Sequence, residues 1–333
     1  KQKKTRKNQR RKRSLRKTNN IFLTQGVDFC PRVRLSVKVT GFSFIRNSIR
    51  YDYPIRESLL SLLPLVDEIV VAVGKSDDDT LELVKNIDPA RIRIIETEWD
   101  DSLREGGRVL ALETQKAYEQ IDGGDWAFYI QGDEVLHEKD YPAIRSAMQK
   151  WANDPRTDGL LFDYRHFYGS YDYTGASRRW YRREVRVVRP PHFTLNPQMR
   201  IFSYRDAQGF RKNGNEKLRV RQVNAGIYHN GWVKPPAAQM QKQQTFNKYW
   251  HDDNWMQKNI PSAAEFDYSN IDSLTRFTGA HPAVMHERIA RKNWQFDFDI
   301  SRSRFTFKEK VSGLVERLTG YRPGEYKNYR KIG

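Results

Sequence analysis

The stretch "VDEIVVAVGKSDDDTLELVKN", residues 66–86, holds a whole strand, turn and helix. Residues 68–74 are an almost unbroken apolar run rich in valine, the pattern of a strand buried on both faces of a parallel sheet. Gly74 closes the run. Three acids and Thr80 then open a helix over 77–87, since acidic side chains are favoured beside the unpaired N–H groups of a helix start.

The same alternation continues on both sides. Upstream, 34–42 reads as a strand, and 54–66 as a helix with Ile55, Leu59, Leu62 and Leu63 at helical spacing behind Pro54. Downstream, 91–98 is a strand and 103–121 a helix weakened early by Gly106 and Gly107. The stretch 125–131 is a strand and 141–152 a helix. A β-α-β-α order predicts an α/β fold with a mostly parallel sheet and helices on both faces. Ligands of such sheets sit outside the carboxyl ends of the strands. Three acid-bearing loops reach that edge: the one after Gly74, "TEWDDS" (97–102), and Gly132-Asp133-Glu134.

Beyond residue 155 the texture changes. Residues 159–191 are dense in Tyr, Trp, Arg and His. Strand-like pieces recur at 184–189, 199–204 and 217–223, and "GIYHNGWVKPP" (226–236) ends the sheet region. Residues 237–333 read as a polar, helical C-terminal extension. The expected organisation is a basic tail (1–20), a main domain (36–236) with halves at about 36–155 and 156–236, and that extension.

The chain has 333 residues and a formal net charge of +18, yet the charge is uneven. Residues 1–20 carry 11 Lys and Arg and no acid. Such a run cannot bury enough apolar surface to order itself, and it suits contact with an anionic membrane or a nucleic acid. It lacks the apolar core of a signal peptide. Nothing elsewhere approaches the length of apolar sequence that crosses a bilayer. Cys30 is the only cysteine, which excludes an intramolecular disulfide and a cysteine-based zinc finger and agrees with a reducing compartment. The expected location is cytoplasmic, at the inner face of a membrane if the tail engages lipid.

Asp133 follows a strand end and offers hard oxygen to Mg²⁺ or Mn²⁺, ions that bridge carboxylates to substrate phosphates. His229, in "YHNGW", is a candidate nitrogen ligand to the same ion. Lys234 and Lys242 are candidates to neutralise a diphosphate. Residues 73–80 lack the glycine pattern of a phosphate loop. The bland readings of the same residues are solvated turns, an acidic helix cap and a basic surface.

The order of these segments resembles family-2 glycosyltransferases. "VDEIVVAVGKSDDDTLELVKN" looks like their second strand and following helix. "DWAFYIQGDE" looks like the strand ending in their Asp-x-Asp motif. "IYHNGW" followed by lysines resembles a late histidine segment of bacterial enzymes that build lipopolysaccharide core or other surface glycans. The resemblance covers roughly residues 36–250 and implies a GT-A fold, a Rossmann-like nucleotide-sugar half joined to an acceptor half. It implies a hexosyl transfer from a nucleotide-sugar donor to a glycan or lipid-linked acceptor, inverting and dependent on Mn²⁺ or Mg²⁺. Asp133 and His229 would hold the metal. Gly74, Ser76, Asp78, Arg108, Gln131, Lys234 and Lys242 would contact the donor. Glu184, with Asp163 and Asp172 as alternatives, would be the base. Gln131 stands where the family has the first acid of Asp-x-Asp, and Val73-Gly74 where it has an aspartate pair. The competing readings are a polyanion- or RNA-binding protein without activity, and a degenerate relative that binds without turnover.

Overall fold

The computed structural model describes residues 37–333 apart from 208, 304 and 306. The basic run 1–20 and Cys30, with everything expected of them, lie outside the described residues.

Four strands, β1 (Val39–Ile45), β2 (Glu68–Gly74), β3 (Ile92–Thr97) and β4 (Trp126–Tyr129), run parallel in the order 3-2-1-4. Helices α1 (Ile55–Leu62), α2 (Thr80–Lys85) and α3 (Arg108–Glu119) make the crossovers. Phe42 of β1 lies opposite Val70 of β2 on one side and Tyr129 of β4 on the other, and all three are fully buried. Helix α3 covers this face with Val109, Leu110, Ala117 and Tyr118. The unbroken apolar runs of β2 and β4 are therefore a packing requirement, because helices and sheet leave them no wet face.

After β4 the chain makes β5 (Glu134–Leu136) and α4 (Tyr141–Trp151), then β6 (Gly159–Tyr168), β7 (Ser170–Gly175) and β8 (Arg183–Val188). β8 runs antiparallel to β4, and β6 antiparallel to β8, so the sheet continues from the parallel half into a second half without a break. β9 (Ile201–Tyr204), β10 (Gly209–Lys212) and β11 (Glu216–Lys217) form a small separate sheet. The long β12 (Arg219–Trp232) runs parallel to β6 and antiparallel to β5, setting His229 opposite Glu134. A Rossmann-like parallel half and a second half on one sheet is the GT-A layout that the resemblance implied.

The C-terminal segment departs from a purely helical extension. It contains α5 (Pro236–Phe246), α6 (Asp253–Asn259), α7 (His286–Ala290) and α8 (Phe307–Thr319). It also returns to the main sheet twice, through β13 (Leu274–Arg276) against β7 and β14 (Arg330–Lys331) against β12. Edge strands this short carry almost no periodic signal, which is why 237–333 reads as helix and coil alone.

Candidate functional site at the strand ends

A cavity of about 550 Å³ opens at the carboxyl ends of β1 and β4, where an α/β sheet presents its ligand crevice. The loop from β1 to α1 supplies Arg46, Asn47, Arg50, Tyr51 and Tyr53. The loop after β2 supplies Asp77, and the one after β3 supplies Trp99, Asp101 and Arg104. Gln131, Gly132 and Asp133 form the turn that follows β4, and α5 with its following turn adds Lys242, Phe246, Tyr249 and Trp250.

Asp133 is the centre of charge. Its Oδ1 lies 3.7 Å from His229 Nε2, and its Oδ2 lies 3.8 Å from Lys242 Nζ. Burial raises its pKa, but His229, Lys242 and Lys234 together outweigh that and hold the carboxyl below its usual range. Lys242 is anchored by donating to the Gly231 carbonyl at 2.9 Å, and Lys234 by donating to the Asp52 carbonyl at 2.9 Å. The Tyr53 ring lies between them, 4.0 Å from Lys234 Nζ and 5.1 Å from Lys242 Nζ. Burial pulls both ammonium groups down, and for Lys234 the charge of Lys242 adds to it.

The hydrogen bonds of His229 fix which of its nitrogens is bare. His166 Nε2 lies 2.8 Å from the carbonyl oxygen of Tyr181. A carbonyl only accepts, so that nitrogen carries a proton. His166 is neutral, its pKa pushed down to about 3 by burial and by His229, so its Nδ1 is a free acceptor. His229 Nδ1, 3.1 Å away, is therefore the donor. Burial also lowers the pKa of His229, against the pull of Asp133 and Glu134. In the neutral ring, Nε2 is then unprotonated and faces the Asp133 carboxylate. Two lone-pair donors facing each other could share a cation, beside the charge that Lys242 already sets 3.8 Å from Asp133.

Gly231 keeps that space open: a Cβ there would sit 2.8 Å from Asp133 Oδ2 and 2.8 Å from His229 Nε2. No group of three or more His, Cys, Asp or Glu gathers here among the described residues. A carboxylate and a neutral imidazole at the edge of this cavity are still donors of the kind that suit Mg²⁺ or Mn²⁺, ions that complete their shells with substrate phosphates and water.

Glu134, the neighbour of Asp133, does a different job. Arg186 grips it with Nε at 2.9 Å and Nη2 at 2.7 Å, and both side chains are fully buried. Tyr164 donates to it at 2.6 Å and the Gln131 backbone N–H at 3.1 Å. Arg186 of β8 and Tyr164 of β6 thereby fasten the turn after β4 to the second half of the sheet, and the Gln131 contact closes that turn locally.

Of the other residues expected at the donor site, Gln131 lines the cavity, its amide donating to Tyr129 Oη at 3.2 Å and the Ala207 carbonyl at 3.3 Å. Gly74 lies behind the wall: a Cβ there would come 2.3 Å from Trp99 Nε1, so the glycine lets the indole lie flat over the end of β2. Ser76 and Asp78 brace the β1–α1 loop. Ser76 Oγ accepts from the Asn47 backbone at 3.0 Å and Asp78 from the Arg50 backbone at 2.7 Å. Their neighbour Asp77 is the one that lines the cavity. Arg108 is not at this site. It stands exposed at the start of α3 and lines two other surface clefts, one of which shares Arg104 and Trp250 with the cavity.

Among the base candidates, Asp163 is bound to Arg183 at 2.7 Å and half exposed, and Asp172 is capped by Ser170; neither lines the cavity. Glu184 is buried, its Oε2 has no hydrogen-bond partner, and it lines a second cleft with Arg182, Arg183 and Tyr329. Asp206 lines both clefts, so the two share a wall. Burial drives the Glu184 carboxyl up to about 8, with Glu134 and Asp206 adding to it and Arg186 opposing.

The loop after β3, expected at this edge as "TEWDDS" (97–102), contributes Trp99 and Asp101 to the lining, whereas the β1–α1 loop was not among the loops expected there. The available signal was position: "IRNSIRYDYP" (45–54) directly follows the first strand of a parallel sheet, where a ligand loop belongs.

No family model and no curated protein matches this chain. Several solved structures are similar to part of it. TarS of S. aureus is 15% identical, with a TM-score of 0.35 over 62% of this chain and 38% of that one. A mannosyltransferase from Pyrobaculum calidifontis, in complex with GDP-Man and Mn²⁺, is 20% identical, with a TM-score of 0.29 over 37% of this chain and 34% of that one. Glucosyl-3-phosphoglycerate synthase from Mycobacterium tuberculosis, in complex with Mn²⁺, UDP and phosphoglyceric acid, is 17% identical, with a TM-score of 0.28 over 39% of this chain and 44% of that one. The chain spans less than half the length of each.

Proposed function

We propose that the protein is a glycosyltransferase that moves a hexosyl group from a nucleotide-sugar to an acceptor hydroxyl on a glycan or lipid-linked glycan, with inversion. One observation carries this reading. At the strand ends, the bare Nε2 of His229 faces the Asp133 carboxylate, with two buried lysines behind them and an aromatic, arginine-bearing wall beside them. That combination suits a nucleoside diphosphate, with a flat base against Trp99 and Tyr249 and phosphates near Asp133 and Lys242.

Asp133 and His229 would hold Mg²⁺ or Mn²⁺, which supplies positive charge to the departing diphosphate. Lys242 adds charge on the other side of Asp133. Glu184 in the adjoining cleft takes the proton of the acceptor hydroxyl as its oxygen bonds to C1 and the bond from C1 to the diphosphate breaks. Arg182 and Arg183 line the acceptor side.

A thermal-shift screen of UDP-, GDP-, CMP- and dTDP-sugars, each with and without Mn²⁺, tests the donor site. A ligand that binds only the folded chain raises the midpoint. One nucleotide class is expected to do so, more strongly with Mn²⁺; if none does, the reading fails. Turnover separates an enzyme from a degenerate binder, which would pass this screen and release no nucleotide.

Glu184 gives a pH signature. Its carboxyl titrates near 4.5 unfolded and about 8 folded, so folding favours the protonated form. That contribution to stability is complete below about pH 4.5 and is lost as pH rises through about 8. The thermal midpoint of the parent is expected to fall over this window more than that of Glu184→Gln. As a base, Glu184 must be ionised, so transfer is expected to rise with pH toward about 8 and to drop roughly 10²-fold or more in Glu184→Gln. A variant with full activity and an unchanged pH profile removes Glu184 from the mechanism.

His166 is expected to act through His229. His166→Phe keeps the aromatic packing and removes the acceptor that sets the His229 tautomer. Mn²⁺ affinity in the presence of nucleoside diphosphate, measured by titration calorimetry, is expected to fall about 10- to 100-fold. Unchanged affinity rules out the relay.

A further inference from the structure

Helix α8 presents its apolar stripe outward. Phe307, Val311, Leu314 and Leu318 recur at helical spacing and are 82%, 47%, 54% and 75% exposed. A surface helix normally turns such a stripe to the core. Here the opposite face is the one attached. Glu316 accepts from Arg182 at 2.7 Å and lies 3.4 Å from Arg178 and 3.6 Å from Arg322. Ile300, Phe305, Tyr321 and Tyr326 are also exposed, so this segment holds eight of the eleven exposed large apolar side chains among the described residues. The apolar exposure is thus concentrated in one segment of the chain, and the four-residue stripe of α8 is the part that shares a face, the mark of an interaction surface.

The charge of the segment that carries the stripe selects the occupant. Residues 300–333 carry nine Lys and Arg against three Glu. Of the three, Glu316 and Glu325 are engaged by Arg182. Two copies meeting through this face would bring like charge against like charge. An anionic lipid surface offers the opposite charge and an apolar layer in which Phe and Leu can sink. Thirteen residues are too few to span a bilayer, and no helix among the described residues is long and apolar enough to do so. We propose that α8 is an in-plane anchor by which the protein docks on an anionic lipid bilayer. The inference rests on this face alone and is independent of the chemistry at Asp133.

The test is partition of the full chain onto vesicles of phosphatidylcholine, alone or mixed with phosphatidylglycerol, at low and at high salt. The parent is expected to bind the anionic vesicles and to stay bound at high salt, which strips charge-only attachment. Leu314→Glu with Leu318→Glu is expected to lower high-salt partition by about two orders of magnitude, since each leucine contributes through apolar burial. The thermal midpoint of this variant is expected to match the parent, because both side chains are exposed. Three results overturn the proposal. The variant partitions like the parent at high salt; the parent is a dimer without vesicles and the variant a monomer, so a second copy covers the stripe; or residues 307–319 are protected from hydrogen exchange in the free monomer and vesicles change nothing.

Discussion

Asp133→Asn is expected to lower sugar transfer by about 10³-fold, on the scale of losing one preorganised electrostatic group in a site that stabilises developing charge. Asparagine keeps the shape and removes the charge that His229 and Lys242 face at 3.7 and 3.8 Å. The fold is expected to tolerate the change, because the link holding this residue to β12 is made by its backbone carbonyl, which accepts from Asn230 at 2.7 Å. Two measurements separate function from folding: nucleotide release from the donor, and the thermal midpoint with nucleoside diphosphate, with and without Mn²⁺. The Mn²⁺-dependent part of the ligand shift is expected to vanish while the ligand-free midpoint stays near the parent. Full transfer by the variant sinks the assignment of the site.

The adjacent acid is expected to give the converse result. Arg186→Met leaves Glu134 fully buried without its bidentate partner, which costs about 3–5 kcal/mol of stability. Urea unfolding at neutral pH reads this as a lower midpoint. The mechanism has a control. Glu134→Leu combined with Arg186→Met removes both charges, and it is expected to recover a large part of the loss, because an apolar pair of similar size avoids the cost of burying ions. If the single substitution costs under about 1 kcal/mol, comparable with an exposed pair, the buried pair is not what fastens β4 to the second half of the sheet.

These two substitutions act on neighbouring residues, and their contrast shows how far local reading extends. "WAFYIQ" reads as a buried strand and "GDE" as its end at the ligand edge; the strand itself closes at Tyr129, Gly132 and Asp133 line the cavity, and Glu134 already belongs to β5. Which of the two acids is locked in a buried ion pair and which lines the cavity depends on residues far along the chain. Arg186, 52 positions after Glu134, turns it into an anchor. Lys242, brought in by α5, sets positive charge beside Asp133, and β12 brings Nε2 of His229 to face it. The same limit explains Arg108. Its helix was legible, but the face it presents depends on how the chain turns at Gly106 and Gly107, both at positive φ. Ser76 and Asp78 belong to the expected loop, yet backbone hydrogen bonds from the β1–α1 loop occupy them, and Asp77 lines the cavity instead.

By itself the amino-acid sequence determined the alternation of strands and helices, the parallel half of the sheet and the edge at which an acid is delivered. These follow from periodicity, glycine and proline positions and charge near helix starts, all of which act within a few residues. Only the tertiary structure decided the tautomer of His229, the different partners of Asp133 and Glu134, the return of 237–333 to the sheet, and the outward stripe of α8. Each of those depends on which distant side chain removes water from a group and supplies its hydrogen bond or counter-charge, and long-range packing alone sets that.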